Sequence, residues 1–563
     1  MPKKNKISAS LVLVFSSGIL HALSLTPINF WPIGFFILAP VFLVIERENY
    51  SIKTAIQYGL VLSLSFNTFT SYWLIDTIAT YGNLPWIISV LVFGLYIVIT
   101  SSRFVLFFVL IRLWKALFNK YSGKNILHNK YFAWTFIWGV SEFFGWQLFP
   151  VLGANMVSGD LPLIQSADLF GVHFVSLIWF IANLSLYEIV MKYTPDSVRN
   201  SVLKFFKLKT TNKTGNTKKG SKKQVFYKTS TVVGAFIVIV IHVYGYFSYM
   251  YWLEKEKQYE TKTIGVVQGN SPLAFNAIGN VRQLLENISS NMVKMTFEIN
   301  NTAQIQNKKL DLIVWPESAI PFLSYRAHPI LRAKISLVQD MYPVPMLIND
   351  IDTRFENGTR KSYNNMWLIS GDGKMLSQYH KILLLPFAEY MPFGEAFPFL
   401  KKVVPEISDF YKGRKMHTID SPVGPFIPSI CYELLPPKFT IQYFKKSGSK
   451  ARIIINMTND TWFNESAENF QHLEASRIRA IELRLPIVRA TNSGISAYID
   501  TIGRLHDPTG QAVKANRIYD IAIPEKSKSL FSLWGYIPFY LFLLTGSLAW
   551  IIEIYRRRKN IAK

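Results

Sequence analysis

The sequence predicts a polytopic α-helical membrane protein of about eight spans that carries one exported α/β domain. Half of its 563 residues are hydrophobic and 17% are charged, against roughly 25% charged residues in soluble globular proteins. Apolar segments of near-spanning length recur along the chain. Between the last two of them lies a stretch of about 275 residues in which strand-like and helical patterns alternate.

The predicted spans come from segment length, because a helix needs about 20 mostly apolar residues to cross the hydrocarbon core. The candidate segments are residues 8–25, 30–45, 56–74, 85–111, 131–148, 172–190, 231–252 and 530–554. The first follows Lys3, Lys4 and Lys6, which resembles a secretory signal. Seven further spans make an uncleaved anchor the better interpretation.

The net charge of +25 is distributed unevenly. Lys and Arg occur in every second loop, at residues 1–7, 46–53, 112–130, 191–229 and 556–563, and are absent from 25–29, 76–84 and 150–171. In 46–53, Arg47 and Lys53 are balanced by Glu46 and Glu48. This alternation predicts cytoplasmic termini and an exported segment 253–529. The Lys/Ser/Thr/Gly-rich stretch 209–224 is expected to be a solvated linker near anionic lipid, so no nucleic-acid partner is predicted.

These features divide the chain into three predicted parts. They are a membrane domain of about seven spans (1–252), an exported catalytic domain (253–529), and a last span with a basic tail (530–563). The exported part is long enough for one sizeable core.

The exported part is expected to form a layered α/β sandwich, because strand patterns interleave with helical ones. Predicted strands are 263–268, 310–315, 345–348, 366–370, 375–380, 426–431, 452–456, 486–490, 496–500 and 518–523, and predicted helices are 281–299, 331–339 and 467–485. Gly371-Asp-Gly373 is expected to close a hairpin and Gly503 to mark a turn. Glycine-rich phosphate loops and zinc-ligand spacings are absent from the sequence, so neither a cofactor nor a metal is expected.

Three charged or nucleophilic residues each adjoin a strand-like apolar run. Cys431 is the single cysteine, Glu317 follows Leu-Ile-Val-Trp-Pro, and Lys381 precedes Ile-Leu-Leu-Leu-Pro. Together at one sheet edge they would supply a nucleophile, a base and an electrostatic stabiliser. Taken alone, Cys431 would be interpreted as a small core hydrophobe.

The chemistry of a thiolate suggests a substrate with a carbonyl or nitrile carbon, namely an ester, amide or nitrile. A desolvated Glu317 would be a better base near neutral pH than a free carboxylate. Lys381 and the backbone N–H of Tyr432 are expected to face the developing oxyanion. His380 is expected at a strand end and His472 on a helix surface, and neither is predicted to pair with the cysteine.

The motifs around these residues resemble the Glu-Lys-Cys core of the nitrilase superfamily, and more narrowly its membrane-embedded branch, the apolipoprotein N-acyltransferase family. The segments that carry the resemblance are Trp315-Pro-Glu317-Ser, Lys381 to Pro386-Phe-Ala-Glu389-Tyr-Met-Pro, Cys431-Tyr-Glu433, Val267-Gln-Gly-Asn270, Asn459-Asp-Thr-Trp-Phe463 and Arg479-Ala-Ile-Glu482. The resemblance implies an αββα nitrilase-like sandwich on the outer side of a bacterial inner membrane.

The resemblance also implies a reaction. An acyl chain would pass from a membrane phospholipid to Cys431 as a thioester, and then to the α-amino group of the diacylglyceryl-cysteine that begins an apolipoprotein. By the resemblance, Cys431 is the nucleophile, Glu317 the proton acceptor and Lys381 the oxyanion stabiliser. Glu389 would orient Lys381 or assist, and Tyr432 and Glu433 would shape the pocket. The chain departs from the family pattern at Ala277, near Phe275, where tryptophan is frequent, and at Ala388, where glycine is common.

Two other function classes remain open at this point. A membrane-tethered carbon–nitrogen hydrolase would use the same triad on a small amide, although one anchor would suffice for it. A transport or scaffold protein would use the domain only for binding. Arg103 and Glu142 lie inside predicted spans and could mark a transport pathway, but a paired structural role explains them equally well. The apolar runs 382–385 and 393–399 would cover the site, or the second would be an ordinary packed loop.

Overall fold

The computed structural model describes residues 2–118, 129–206, 208, 222–272, 281–321, 324–392, 394, 396–397 and 409–561. The chain folds into two compact units. The first comprises Met1–Tyr72, Val90–Tyr249 and Trp534–Lys563, and the second comprises Trp73–Ser89 and Met250–Leu533. The three-part division 1–252, 253–529 and 530–563 stays a prediction, and it did not anticipate that residues 73–89 group with the second unit.

The chain up to residue 256 is helical wherever it has regular structure in the described part. The helices are α1 Pro2–Ser24, α2 Ala39–Arg47, α3 Ile52–Thr70, α4 Trp73–Tyr81, α5 Trp86–Thr100, α6 Ser102–Phe118, α7 Lys130–Phe144, α8 Leu161–Gln165, α9 Ala167–Phe170, α10 Val172–Tyr193, α11 Asp196–Phe205 and α12 Lys222–Glu256. A helix satisfies its backbone groups internally, as a segment in lipid requires. The side chains of Ser51 and Asn129 cap the N-termini of α3 and α7 by accepting a hydrogen bond from a backbone N–H of the first turn.

Among the described residues, four helical stretches are long and apolar enough to cross a membrane. They are Trp86–Leu117, Val172–Tyr193, Thr229–Glu256 and Ile537–Arg556. Ala9–Ser24 is a shorter apolar helix. The expected span 30–45 is divided between a 3₁₀ helix, Trp31–Phe35, and α2. The total of eight spans therefore stays a prediction.

Arg103 and Glu142 have structural partners in the first unit. Arg103 Nη1 donates to the Val151 carbonyl at 2.6 Å, and Glu142 Oε1 accepts from the Gly153 amide at 2.7 Å. Both side chains are buried. They bond backbone groups at the irregular segment where α7 gives way to a 3₁₀ helix, Gly153–Val157. Such groups need partners in an apolar environment, so these contacts support the structural interpretation of both residues.

The second unit contains the strands and most of the remaining helices. The strands are β1 Glu260–Gln268, β2 Leu312–Val314, β3 Met346–Glu356, β4 Thr359–Ile369, β5 Met375–His380, β6 Phe426–Ile430, β7 Ile453–Thr458, β8 Ile487–Thr491, β9 Ala497–Ile499, β10 Leu505–His506 and β11 Ala515–Ile523. The helices that follow α12 along the chain are α13 Val281–Ile305, α14 Pro329–Met341, α15 Pro437–Lys446, α16 Ala467–Leu483, α17 Leu530–Trp534 and α18 Ile537–Ile561.

The strands form two sheets, ordered β11-β1-β2-β3-β4-β5 and β10-β9-β8-β7-β6. In each sheet three neighbours, β1 to β3 and β6 to β8, are parallel, and the flanking strands pair antiparallel. The buried side chains of α13 and α14 pack in one apolar core with residues of the first sheet, including Met292, Ile313, Ile335 and Trp367. Gln268 at the end of β1 joins the two sheets, because its Oε1 accepts from Thr491 in β8 and from Ser496 and Thr509 in the loops beside β9 and β10.

The structure confirms the layered α/β sandwich and lengthens several predicted strands. β3 and β4 each have eleven residues and are joined at Asn357-Gly358, whose φ angles are 51° and 75°. An Asn-Gly pair is a strong hairpin signal, and the sequence prediction overlooked it. The expected hairpin at Gly371-Asp-Gly373 joins β4 to β5, and Gly503 (φ 80°) lies in a turn between β9 and β10. Helix α15 was not predicted.

Candidate active site

Glu317 lies just beyond β2 and is 6% exposed. Its Oε1 accepts from Asn364 Nδ2 at 2.8 Å, and its Oε2 accepts from the Asn459 backbone amide at 3.0 Å. Asn364 belongs to β4 of the first sheet and Asn459 follows β7 of the second. The carboxylate is therefore held by one donor from each sheet.

Lys381 directly follows β5 and is 1% exposed. Its Nζ lies 2.8 Å from Glu389 Oε2 and 3.6 Å from Glu317 Oε1. Glu389 also accepts from Asn364 Nδ2 at 3.0 Å and from the Leu385 amide at 2.8 Å. Glu389 thus contacts the ammonium directly and is itself fixed by two donors, an arrangement suited to orienting Lys381.

Cys431 follows β6 at the point where the chain turns into a 3₁₀ helix, Cys431–Leu434. Its φ angle is +49°, in the left-handed region that a residue with a Cβ seldom adopts. Backbone strain of this kind clusters at functional sites. The side chain is 8% exposed, and Tyr432 is buried beside it. That the Tyr432 N–H faces an oxyanion stays a prediction.

Glu433 connects the cysteine turn to the lysine segment. One carboxylate oxygen accepts from the Ile430 amide at 2.8 Å. The other accepts from the Ile382 and Leu383 amides at 2.7 and 3.0 Å and from Tyr379 Oη at 2.7 Å. Burial raises the pKa of Glu433 to about 7, although these donors favour the carboxylate. Glu433 therefore acts on the site by holding two backbone segments together.

The titratable groups of the site influence one another. Burial, reinforced by Glu317 and opposed by Lys381, raises the pKa of the Cys431 thiol well above its ordinary value. Burial also raises the pKa of Glu317, with Lys381 opposing and Glu389 adding to the shift. Burial lowers the pKa of Lys381, but Glu389 and Glu317 outweigh it and the pKa is raised. Burial thus favours the protonated forms of Cys431 and Glu317, while the two carboxylates favour the charged form of Lys381.

The expected cover of the site is only partly described. In the apolar run 382–385, Leu384 is 2% exposed and packs in the core, whereas its neighbours are half-buried. Phe397 is 52% exposed. Phe393 and Phe399 lie outside the described residues, as do Phe275 and Ala277 and the part 209–221 of the basic linker.

The two histidines weighed as partners of the cysteine differ in their placement. His380 ends β5, with Nε2 2.9 Å from Asp352 Oδ2, as expected of a strand-end residue. The prediction that His472 lies on a helix surface is wrong, because it is 1% exposed. Its Nδ1 lies 3.3 Å from Asp460 Oδ1 and 3.6 Å from Glu468 Oε1. The reason is that α16 is buried on nearly all sides, with 14 of its 17 residues buried.

A buried polar network supports the backbone of Cys431. Asp460 Oδ2 lies 2.7 Å from Arg489 Nη2, and Arg489 Nη1 donates to Asn456 Oδ1 at 3.0 Å. Asn456 Nδ2 in turn donates to the Cys431 carbonyl at 3.5 Å. The pKa of Asp460 is lowered because the Arg489 guanidinium outweighs burial. This network stabilises the strained turn through the hydrogen bond to the Cys431 carbonyl.

Asp460, Glu468 and His472 are the described residues whose spacing could suit a metal ion, with donor atoms within 4.8 Å of one another. Arg489 already places a buried positive charge against Asp460. A divalent cation there would lie beside a guanidinium, so we interpret the group as part of the ion-pair network.

Helix α4 packs against the turn that follows β7. Tyr81 Oη donates to the Thr461 carbonyl at 2.7 Å, and Thr77 Oγ1 donates to the next carbonyl at 3.0 Å. That turn is a 3₁₀ helix, Asp460–Phe463. Asn459, the residue just before this 3₁₀ helix, donates its backbone amide to Glu317. The sequence analysis treated residues 76–84, which overlap α4, as a loop between two spans, and so this contact was not predicted.

Comparison with known proteins relates the chain to two described families. The carbon-nitrogen hydrolase family matches residues 263–520, and the apolipoprotein N-acyltransferase N-terminal domain matches residues 17–185. A Leptospira interrogans protein named apolipoprotein N-acyltransferase 2 is 26% identical, over 94% of this chain and 93% of its own. A Geobacter metallireducens apolipoprotein N-acyltransferase is 25% identical, over 100% and 97%.

The chain belongs to the apolipoprotein N-acyltransferase family. Its second unit is a nitrilase-like α/β domain, and its apolar helices fit a bacterial inner-membrane member of this acyltransferase family. Among solved structures, a nitrilase-superfamily protein of Saccharomyces cerevisiae is 17% identical and covers 50% of this chain and 95% of its own, with a TM-score of 0.35.

Proposed function

We propose that this protein is an apolipoprotein N-acyltransferase that moves a fatty acyl chain from a membrane phospholipid, through a thioester on Cys431, to the α-amino group of an N-terminal diacylglyceryl-cysteine. The observation that carries the proposal is the buried cluster of Glu317, Lys381 and Glu389 beside a cysteine at a strained turn. Family membership supplies the lipid donor and the lipoprotein acceptor.

In the first half-reaction, the Cys431 sulfur attacks the ester carbonyl carbon while Glu317 accepts the thiol proton. The negative charge that develops on the carbonyl oxygen faces the Lys381 ammonium. The tetrahedral intermediate then breaks the carbon–oxygen bond of the ester. Glu317 returns the proton to the leaving oxygen, and a lysophospholipid departs.

In the second half-reaction, the acceptor amine attacks the thioester carbon and the same ammonium stabilises the oxyanion. Glu317 accepts a proton from the amine nitrogen and returns it to the Cys431 sulfur as the carbon–sulfur bond breaks. The products are an amide and a free thiol. One nucleophile serving two lipid substrates favours a ping-pong course.

The acyl-enzyme must be kept from water between the two steps, and apolar residues near the lysine are suited to this. Leu383 is half-buried, and Phe387 is 58% exposed with a φ of +64°. We place the domain on the extracytoplasmic side with both termini in the cytoplasm, because Lys and Arg concentrate in alternate loops.

The deciding experiment separates the two half-reactions. Purified protein is incubated in nanodiscs with a phospholipid of defined chain length and no acceptor, and the mass of the Cys431 peptide is measured. We expect an acyl thioester that disappears when a synthetic diacylglyceryl-cysteine peptide is added, with the chain recovered as an N-terminal amide. Cys431→Ala should give neither product.

Two results would contradict the proposal in different ways. A thioester that forms only after the lipopeptide is added would replace the ping-pong course with a ternary complex. A protein that hydrolyses small amides but does not acylate the lipopeptide would instead be a carbon–nitrogen hydrolase with the same triad.

A further inference from the structure

The first unit contains a large apolar groove that the proposed reaction does not use. Its volume is about 690 Å³, and its lining comes mainly from four helices, α7, α10, α12 and α18, with Phe170 added by α9. Representative lining residues are Phe132, Phe174, Ile181, Val233 and Phe542. Three of the four helices, α10, α12 and α18, include candidate membrane spans, so the surroundings of the groove are hydrocarbon rather than water.

The groove is open on one side, since Val233 in its lining is 50% exposed. A molecule that fills it gains dispersion contacts along its apolar walls. Water is a poor occupant, since a buried water needs two to four polar partners and the lining is almost entirely apolar. The apolar molecule available inside a bilayer is a lipid acyl chain.

The lining is suited to binding and not to reaction. Its described residues include no carboxylate, amine, imidazole or thiol. A chain held there would therefore not be attacked in place. Along α12 the lining extends from Thr229 to Ile237, about 12 Å at 1.5 Å per residue. That length accommodates part of one acyl chain, whose remainder would lie in the bilayer.

Three polar residues of the lining, Asn129, Thr229 and Ser230, lie together at one end of the groove. Asn129, the N-cap of α7, donates through Nδ2 to Ser230 Oγ at 3.1 Å, and Thr229 lies beside it. The same end is basic in sequence, because α12 carries lysines at positions 222, 223 and 228, just before Thr229. Lysines next to a membrane-spanning segment attract anionic headgroups. The groove thus has an apolar body and a polar end, and the sequence contains three lysines shortly before the α12 residues at that end.

We propose that this groove is a binding site for one acyl chain of an anionic phospholipid, whose headgroup lies at the Asn129–Ser230 end. The lipid is a structural ligand of the membrane unit and is not the acyl donor. The inference does not depend on the acyl-transfer proposal, because it uses no residue of the candidate active site.

The test uses two neighbouring valines of α12. Val233 lines the groove and is 50% exposed, whereas Val232 is 68% exposed and outside the lining. Val233→Trp should fill the groove, and Val232→Trp is the matched control. Full-length protein is purified in detergent, washed extensively, and its retained phospholipid is quantified by mass spectrometry. We expect about one retained phosphatidylglycerol per chain in the wild type and in Val232→Trp, and at least a fivefold loss in Val233→Trp.

A second measurement tests the headgroup and the role of the lipid. Delipidated wild-type protein should gain thermal stability with phosphatidylglycerol but not with phosphatidylcholine of the same chains, and Val233→Trp should lose this gain. Equal retention in both tryptophan variants would overturn the site. Equal stabilisation by the two lipids would overturn the anionic assignment. Loss of Cys431 acylation in Val233→Trp alone would overturn the separation from the donor lipid.

Discussion

The side-chain amide of Asn364 donates to Glu317 at 2.8 Å. The same nitrogen also donates to Glu389 at 3.0 Å. One neutral residue therefore bridges two carboxylates that share one ammonium, that of Lys381. Two carboxylates this close would repel each other, and the amide hydrogens and the ammonium offset that repulsion. Asn364 thus lowers the pKa of Glu317, the proposed base, although it takes no part in the proposed reaction itself.

Asn364→Asp should impair acylation strongly, because it removes both donated hydrogen bonds and adds a third carboxylate around one lysine. We expect the rate of thioester formation to fall on the order of 10²-fold, the size seen when one preorganised donor is lost. The measurement is the initial rate of Cys431 acylation by phospholipid. Asn301→Asp, at an exposed position on α13, is the matched control and should retain the wild-type rate.

The pH dependence of acylation should reflect the raised pKa of Glu317. A base whose pKa is raised loses its carboxylate form at a higher pH than an ordinary glutamate. The rate should therefore fall as the pH is lowered through a value above 4.5, the ordinary carboxyl pKa. The check is the pH profile of thioester formation with no acceptor present. A rate that stays constant down to that ordinary value would exclude Glu317 as the base.

Lys381→Met should keep a similar apolar stem but remove the positive charge that faces the oxyanion. We expect a loss on the order of 10²-fold or more in acylation rate. Lys381→Arg should not restore the rate, because a planar guanidinium does not replace a point charge between two carboxylates. Lys374→Met removes a lysine whose side chain is 77% exposed and should have no effect. Retained activity in Lys381→Met would contradict the assigned role.

Glu433→Gln should destabilise the junction between the cysteine turn and the lysine segment. The NH2 group that replaces one oxygen would face either the Ile430 N–H or the N–H groups of Ile382 and Leu383, leaving at least one bond unmade. A buried unsatisfied group costs about 1–3 kcal/mol. The measurement is the free energy of unfolding of the second unit in denaturant, with acylation assayed in parallel. Unchanged stability would contradict the bridging role.

Tyr81→Phe and Thr77→Val each remove a hydroxyl on α4 that donates to the turn after Asn459. Because the Asn459 amide donates to Glu317, both substitutions should weaken that hydrogen bond. We expect a several-fold lower acylation rate and an acidic limb displaced upward in pH, since a weaker N–H bond raises the pKa of the carboxylate further. Thr77→Ser keeps the hydroxyl and should retain the wild-type acylation rate and the wild-type acidic limb. Thr80→Val, exposed on the same helix, should change neither. A lower rate with an unshifted limb would indicate only structural damage.

Much of the catalytic unit could be predicted from local pattern. The strand 375–380 has the expected bounds, and most other strands differ by one to three residues at an end. β3 and β4 are longer than expected because their outer halves are less apolar, and the Asn357-Gly358 signal was overlooked. Asn364 could not have been identified, since an asparagine within a strand has no chemical signature before its neighbours are known.

The sequence by itself determined the composition of the site and the class of the fold. A single cysteine, a carboxylate and a lysine each adjoin a run with strand periodicity, and such local patterns encode secondary structure and chemistry. Only the tertiary structure decided which of these groups are hydrogen-bonded to one another. Asn364, Asn459 and Tyr81 are far apart along the chain and meet only when two sheets and α4 pack together. Hydrogen-bond energy depends on distances of a few ångströms, and packing sets those distances.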